Sequence, residues 1–471
     1  MLIDLNVSLP DFNSLENFDT VIIGAGAAGI TLADKLSSLG KKIALIEGGD
    51  QEYTNDSQEI YKANTVGDPY FELDVARLRF FGGSTNHWGG WCRSFDTIDF
   101  NRQYLGPEYK WPVVKSDIDQ YLSDACNILE IPKSFKDVPL RGGDINEIEY
   151  QFSPPVNFNE KYLKNLKNNK NVTVILNSNL IDINGENRRV KFATFSSYTG
   201  NKIDISSARY IFAMGGIENS RYLLWFQKKY SNKFFDSNLP VGEYWMEHPY
   251  FSIGKAIVDK RKIVKNFYSL SPQAQKELYI LNCTFRFDYL HEQGTKALIR
   301  DALCVAPNLG KKLLKLANRN LVCGAILRAS WEQAPIAENR ISLDTQLDKF
   351  KIPRSILYWK KNQIDRNTIK KSVDLLNEFL LETDAGRIQY DEWLLNNQEY
   401  PVGNELASWH HMGGTRMHSQ PKFGVIDSNC KVYGSKNIWI AGSSIFTTGG
   451  HTPPTLPIVQ FALRLAKHLT S

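Results

Sequence analysis

Apolar and polar positions change period several times along the chain, and each change marks an element. Thr20-Val21-Ile22-Ile23 forms a short buried-strand run. The glycine-rich stretch Gly24–Gly29 follows, and then ITLADKLSSLG, whose apolar positions recur at helical spacing. A second strand, Lys42–Ile46, ends at Glu47. This order predicts a β-α-β unit over Asp19–Glu47. A second α/β stretch is expected at about 155–224. It holds VTVILNSNLIDI (172–183), a strand at Arg209–Phe212 and a helix opened by Gly215-Gly216. A last strand is predicted at Asn437–Ala441, before a loop rich in Ser, Thr and Gly and a closing apolar helix at about 454–469.

The middle of the chain has another texture. Strand-like runs such as Tyr279–Phe287 alternate with basic helical ones such as KKLLKLANR (311–319), predicted as a surface helix rather than a membrane- or partner-docking one. The expected fold class is α/β, with a Rossmann-like nucleotide domain of the glutathione reductase type and a substrate domain built on an antiparallel sheet plus helices. Segments 1–95, 155–245 and 405–471 are assigned to the first, and 96–154 and 246–404 to the second.

Bulk properties mainly exclude. The chain has 471 residues, enough for two or three domains of roughly 100–200 residues. A net charge of +5 with no long run of one sign argues against a nucleic-acid partner. The six cysteines form no C-x-x-C pair, and no metal site is expected. No apolar run approaches a membrane span of ~18–20 residues, and the N-terminus lacks the pattern of a secretory signal. A reduced, cytoplasmic protein is expected.

Gly24-x-Gly26-x-x-Gly29 lies between a strand and a helix. The first glycine allows the turn, the second lets backbone approach a pyrophosphate, and the third lets helix and strand pack closely. The helix start offers free N–H groups to phosphate. Glu47, 18 residues after Gly29, can accept from ribose hydroxyls. The motif alone does not separate FAD from NAD.

Four further segments do. They are FGGSTNHW (81–88), YIFAMGGIENSRYLL (210–224), WHHMGGTRM (409–417), and GVIDSNCKVYGSKNIWIAGSS (424–444) with GGHTPPTLPIVQFALRLAKHL (449–469). Smaller echoes occur at Val241-Gly242, Glu247-His248-Pro249 and Asn339–Leu343. In this order the set resembles the glucose–methanol–choline (GMC) oxidoreductases over nearly the whole chain, with GGSTNHWGG and HHMGGTRM nearest the pyranose oxidase-like branch.

The resemblance implies FAD and oxidation of an alcohol, on a sugar, polyol or glycoside, by hydride transfer to flavin N5. It implies cofactor contacts from Gly83, Ser84, Asn86, Gly215, Gly442 and, through a backbone bond to adenine, Leu180. Pro454 and Thr455, with Thr452 as N-cap, place the last helix N-terminus at the flavin. His87 corresponds to a histidine that in some relatives carries a covalent flavin link and otherwise hydrogen-bonds. The base falls on His410, with His411 beside it as the alternative. The family's second site residue, histidine or asparagine, is replaced here by Pro453, and His451 is the candidate substitute. The implied partners are a small-molecule alcohol and an electron acceptor (oxygen, a quinone or a redox protein). The missing pair also leaves open a flavin-bound lyase or isomerase.

Overall fold

The computed structural model describes residues 1–10, 15, 17–260, 262–289 and 322–470, so the segment 311–319 lies outside the described residues. The principal sheet has eight strands. β1 (Leu2–Asp4), β2 (Phe18–Ile23), β3 (Ile43–Ile46), β4 (Val172–Leu176), β5 (Asn179–Glu186), β6 (Arg189–Ser196) and β7 (Lys202–Phe212) run in the order β1-β4-β3-β2-β7-β6-β5, and β8 (Ile438–Ile440) pairs with β7. The pairs β1-β4, β4-β3, β3-β2, β2-β7 and β7-β8 are parallel. β5, β6 and the long β7 form an antiparallel meander off one side. The central strands are covered on both faces, which is why they read as apolar runs without alternation.

Helix α1 (Ala27–Ser38) follows β2, α2 (Gly215–Tyr230) follows β7, and the last helix (Thr455–Thr470) packs against α1. Gly29 explains the closeness of α1 to its strand. A Cβ there would lie 1.9 Å from the Gly24 carbonyl oxygen.

A second, seven-stranded sheet is built from the middle of the chain. Its central strands are Tyr250–Asp259, Val322–Trp331 and Cys283–Tyr289, all antiparallel. The 20-residue helix Gln363–Glu382 packs on one face through Ile369, Val373, Leu376 and Leu380. The expected strand over Tyr279–Phe287 starts later, at Cys283, because Tyr279 closes the short helix Pro272–Glu277. In Cys283–Tyr289 the alternation is sharp. Cys283, Phe285 and Phe287 enter the core, and Thr284, Arg286 and Asp288 face the other way.

Candidate active site

A cavity of about 560 Å³ is lined from both sheets. On one side it sits at the carboxyl ends of four parallel strands: Gly24 follows β2, Glu47 follows β3, Ala213–Gly216 follow β7, and Gly442 and Ser443 follow β8. This is where ligands bind in open α/β sheets. Three helix starts meet there, those of α1, α2 and the last helix. Neither α1 nor α2 has a side-chain cap, so their first N–H groups remain available to an anion.

The wall is shaped for something flat and phosphate-bearing. A Cβ on Gly26, Gly215 or Gly442 would project into open space with no protein atom within 4 Å. Gly83 closes the cradle from above, its absent Cβ 3.2 Å from Gly26 Cα. Glu47 has a job the sequence did not suggest. Its Oε2 accepts from Ala25 N and its Oε1 from Gly49 N, both at 2.9 Å, so the carboxylate fastens the glycine turn to the end of β3.

Of the residues expected at the cofactor, Gly24, Gly26, Glu47, Gly83, Ser84, His87, Gly215, Gly442, Pro454 and Thr455 line the cavity. Gly29, Asn86 and Leu180 are not in the wall. Gly29 packs α1 on β2, as above. Asn86 Nδ2 donates to Phe81 O at 3.0 Å and braces its own loop. Leu180 is buried in β5 opposite Phe195. The last helix begins at Thr455, and Pro454 O accepts its first turn from Ile458 N at 2.8 Å. Thr452 is therefore not its cap, and Thr452 Oγ1 is buried without a hydrogen-bond partner.

The adjacent histidines go to different places. Trp409, at φ 55°, turns the backbone into the left-handed region, a strained conformation for a bulky residue. His411 Nε2 is 3.0 Å from Tyr70 Oη, and Tyr70 donates to Glu247 Oε2. His410 Nδ1 lies 2.9 Å from His248 Nδ1, and His248 Nε2 lies 2.8 Å from Gly450 O. Burial pushes His248 down to about 4 and, with His248 and His411 adding to it, holds His410 well below the ordinary histidine range. Both rings are neutral at pH 7.

The tautomers follow. A carbonyl only accepts, so His248 carries its proton on Nε2 and presents Nδ1 as a lone pair. His410 must then donate from Nδ1. Its Nε2 is left as a lone pair, and no protein group among the described residues binds it.

Glu247 holds this pair in register. Its Oε1 accepts from the backbone N–H of His248 and of His410, each at 2.8 Å, and burial raises its carboxyl to about 7. Replacing it by alanine strands two buried donors at about 1–3 kcal/mol each. Glu247→Ala should therefore lower stability by about 2–6 kcal/mol in denaturant unfolding. Glu247→Gln, which keeps an accepting oxygen, should lose less than half as much.

His451 lines the cavity but is not free to replace the missing residue at Pro453. Its Nδ1 is 2.6 Å from Thr284 Oγ1 and its Nε2 is 3.0 Å from Asp96 Oδ2, so both ring nitrogens are engaged within the protein. His248, Thr284 and Tyr250 were the wall residues missed. Glu247-His248-Pro249 was visible only as a faint echo. Thr284 could have been found from the alternation of CTFRFDY.

A family model described as GMC oxidoreductase matches residues 335–462, the stretch holding WHHMGGTRM and the last helix. A 2-methyl-1,2-propanediol dehydrogenase from Mycolicibacterium austroafricanum is 23% identical over 299 residues, covering 61% of this chain. The chain spans about half of that relative's length (52%). Among solved structures, pyridoxine 4-oxidase from Mesorbium loti superposes with a TM-score of 0.58 at 13% identity, over 96% of this chain and 99% of that one. An FAD-dependent oxidoreductase from Chaetomium thermophilum gives 0.57 at 14% identity, over 96% and 98%. The structural likenesses speak for the fold. Together with the matched C-terminal segment and the ordered motifs around the cavity, they show that the chain has the fold of GMC-type flavoproteins and resembles the GMC oxidoreductases most plainly over residues 335–462.

Proposed function

We propose that the protein binds FAD in this cavity and oxidises a CH–OH group of a sugar, polyol or glycoside, with His410 Nε2 as the base. The observation that carries the reading is the tautomer chain Gly450–His248–His410, which leaves one unengaged imidazole lone pair facing the cavity. The glycine cradle and the three helix starts suit a dinucleotide. Bound there, oxidised FAD supplies the acceptor for the hydride that leaves the carbinol carbon.

The chain's own residues do the rest. His410 Nε2 takes the hydroxyl proton, and its Nδ1–H stays on His248. The last helix presents its positive end where charge accumulates, a contribution of up to about 2 kcal/mol when partly buried. Aromatic walls from Trp91, Tyr150, Phe267 and Trp409 exclude water and offer flat surfaces to a ring or carbon chain. His87, kept neutral by burial, stacks on Trp409 at 5.4 Å, and the reading holds with or without a covalent bond at that ring. The motif likeness to the pyranose oxidase-like branch favours a carbohydrate. Oxygen, a quinone or a redox protein takes the electrons on.

The test is anaerobic mixing of the purified yellow protein with a panel of sugars, polyols and 1,2-diols, followed by oxygen and then a quinone. At least one alcohol should bleach the flavin, and the reoxidant that restores the colour names the acceptor class. Product formation without bleaching would replace this reading with a flavin-bound lyase or isomerase. A protein that stays colourless after reconstitution with FAD would end it.

A further inference from the structure

Pro453 lines the cavity without a side-chain donor, and a hydroxyl from another element opens into the same cavity. Thr284 projects into the cavity from the strand Cys283–Tyr289. Its Oγ1 lies 2.6 Å from His451 Nδ1 and 3.1 Å from Tyr150 Oη. His451 Nε2 is 3.0 Å from Asp96 Oδ2, and Arg93 Nη2 donates to Asp96 Oδ1 at 3.0 Å. This assembly adjoins the histidine pair through one peptide, because Gly450 O receives His248 Nε2 and the next residue is His451.

We propose that Thr284 is a catalytic residue that holds the substrate's hydroxyl oxygen by donating to it, and that Asp96 and His451 are positioning residues that set the direction of its O–H. The proposal rests on the alcohol-oxidation reading above.

Hydrogen-bond valence gives the mechanism. A threonine hydroxyl has one proton and two lone pairs. When His451 is doubly protonated, Nε2–H goes to Asp96 and Nδ1–H to Thr284. Tyr150 Oη lies 3.1 Å from Thr284 Oγ1 and donates to His451 O at 3.3 Å, so the threonine proton is shared between Tyr150 Oη and an acceptor in the cavity. When His451 is neutral, its Nε2–H still faces Asp96. Nδ1 is then a lone pair, Thr284 must donate to it, and no proton remains for the substrate.

In the donating state the alcohol oxygen sits between two groups with complementary tasks. His410 Nε2 accepts its proton, the carbinol hydrogen leaves with both electrons to the flavin, and the C–O bond becomes C=O. The Thr284 O–H stays on that oxygen while it carries negative charge. Removing one such donor from an oxyanion site typically costs about 100- to 1,000-fold in rate.

Asp96 is held strongly acidic by His451 and Arg93 despite its burial, so its carboxylate accepts from both and fixes the imidazole against Thr284.

The experiment is anaerobic stopped-flow reduction of the holoenzyme by the best alcohol of the panel, across alcohol concentration, with flavin content recorded for each variant. Thr284→Val should keep its flavin and lose at least 30-fold in the limiting reduction rate. Thr284→Ser should recover to within threefold of wild type. Asp96→Asn should lower the limiting rate at least tenfold with the half-saturating alcohol concentration changed less than threefold, and it serves as the test if the valine variant fails to retain flavin. Wild-type rate in Thr284→Val, equal loss in the serine variant, or an unchanged limiting rate in Asp96→Asn would overturn the assignment while leaving alcohol oxidation standing. If no alcohol bleaches the wild type, the functional reading fails and the role of Thr284 falls with it.

Discussion

His410→Ala should leave the yellow cofactor in place and slow its reduction by alcohol more than about 100-fold, the low end of what a positioned general base contributes. The cofactor stays because the His410 side chain supports none of the hydrogen bonds of the glycine cradle. The rate falls because the lone pair is lost and no neighbour can supply another. His248 Nε2 is tied to Gly450 O, His411 Nε2 to Tyr70, and both nitrogens of His451 are engaged. The pH profile gives a second check. The pair works in its neutral form, and a depressed pKa extends that form downward. With His248 pushed down to about 4, the base should remain competent at pH 5 and be lost only as pH falls further. An ordinary histidine base would already be fading at about 6.5. Full-rate reduction in His410→Ala would falsify its role, and an acid limb near neutrality would break the tautomer chain.

Gly26→Val should give a folded but colourless protein, with FAD affinity lowered more than about 100-fold, or about 2.7 kcal/mol. Two observations separate binding from folding at this position. Gly26 has φ −88° and ψ −167°, extended backbone open to any residue, and its missing Cβ meets nothing within 4 Å. A valine there fills the space meant for the ligand without striking protein. Gly29 is the contrast. A Cβ 1.9 Å from Gly24 O must push α1 away from its strand, so Gly29→Val should lose stability as well as cofactor. Isothermal titration with FAD, beside thermal unfolding of the apoproteins, reads the two effects apart. A yellow Gly26→Val protein, or one that unfolds as readily as Gly29→Val, would show that the cavity is not the dinucleotide site.

Much of the nucleotide-binding architecture was legible in the sequence because its signals are local. A buried strand, a glycine turn, a helix and a second strand ending in Glu47 each leave a mark within a few residues, and the structure holds them in that order. The substrate side was harder to read because its chemistry is assembled by pairing. Tyr250, Thr284 and Ser330 meet in one row across three strands, through a register that no short window of sequence contains. The same limit explains His451. A histidine two residues from the departed side chain looked like its replacement, but the partners that occupy it, Asp96 and Thr284, are 355 and 167 residues away. The parting of His410 and His411 toward different partners depends on the backbone turn at Trp409, which propensity does not announce for a tryptophan. Thr452 had the right chemistry for a cap, yet the helix starts three residues later, after the proline pair.

The two-sidedness of the strand Cys283–Tyr289 bears on how such a protein can diversify. Positions 284 and 286 meet the ligand space while 283, 285 and 287 are sealed in the core, so an exchange at 286 can retune what is accepted without touching the packed face. A slip of a single residue in this register would do the reverse. It would bring Phe285 and Phe287 to the chamber and drive a guanidinium and a carboxylate into the hydrocarbon interior. New substrate preferences in this scaffold should therefore arise by substitution on one face, and insertions or deletions within the strand should be rejected.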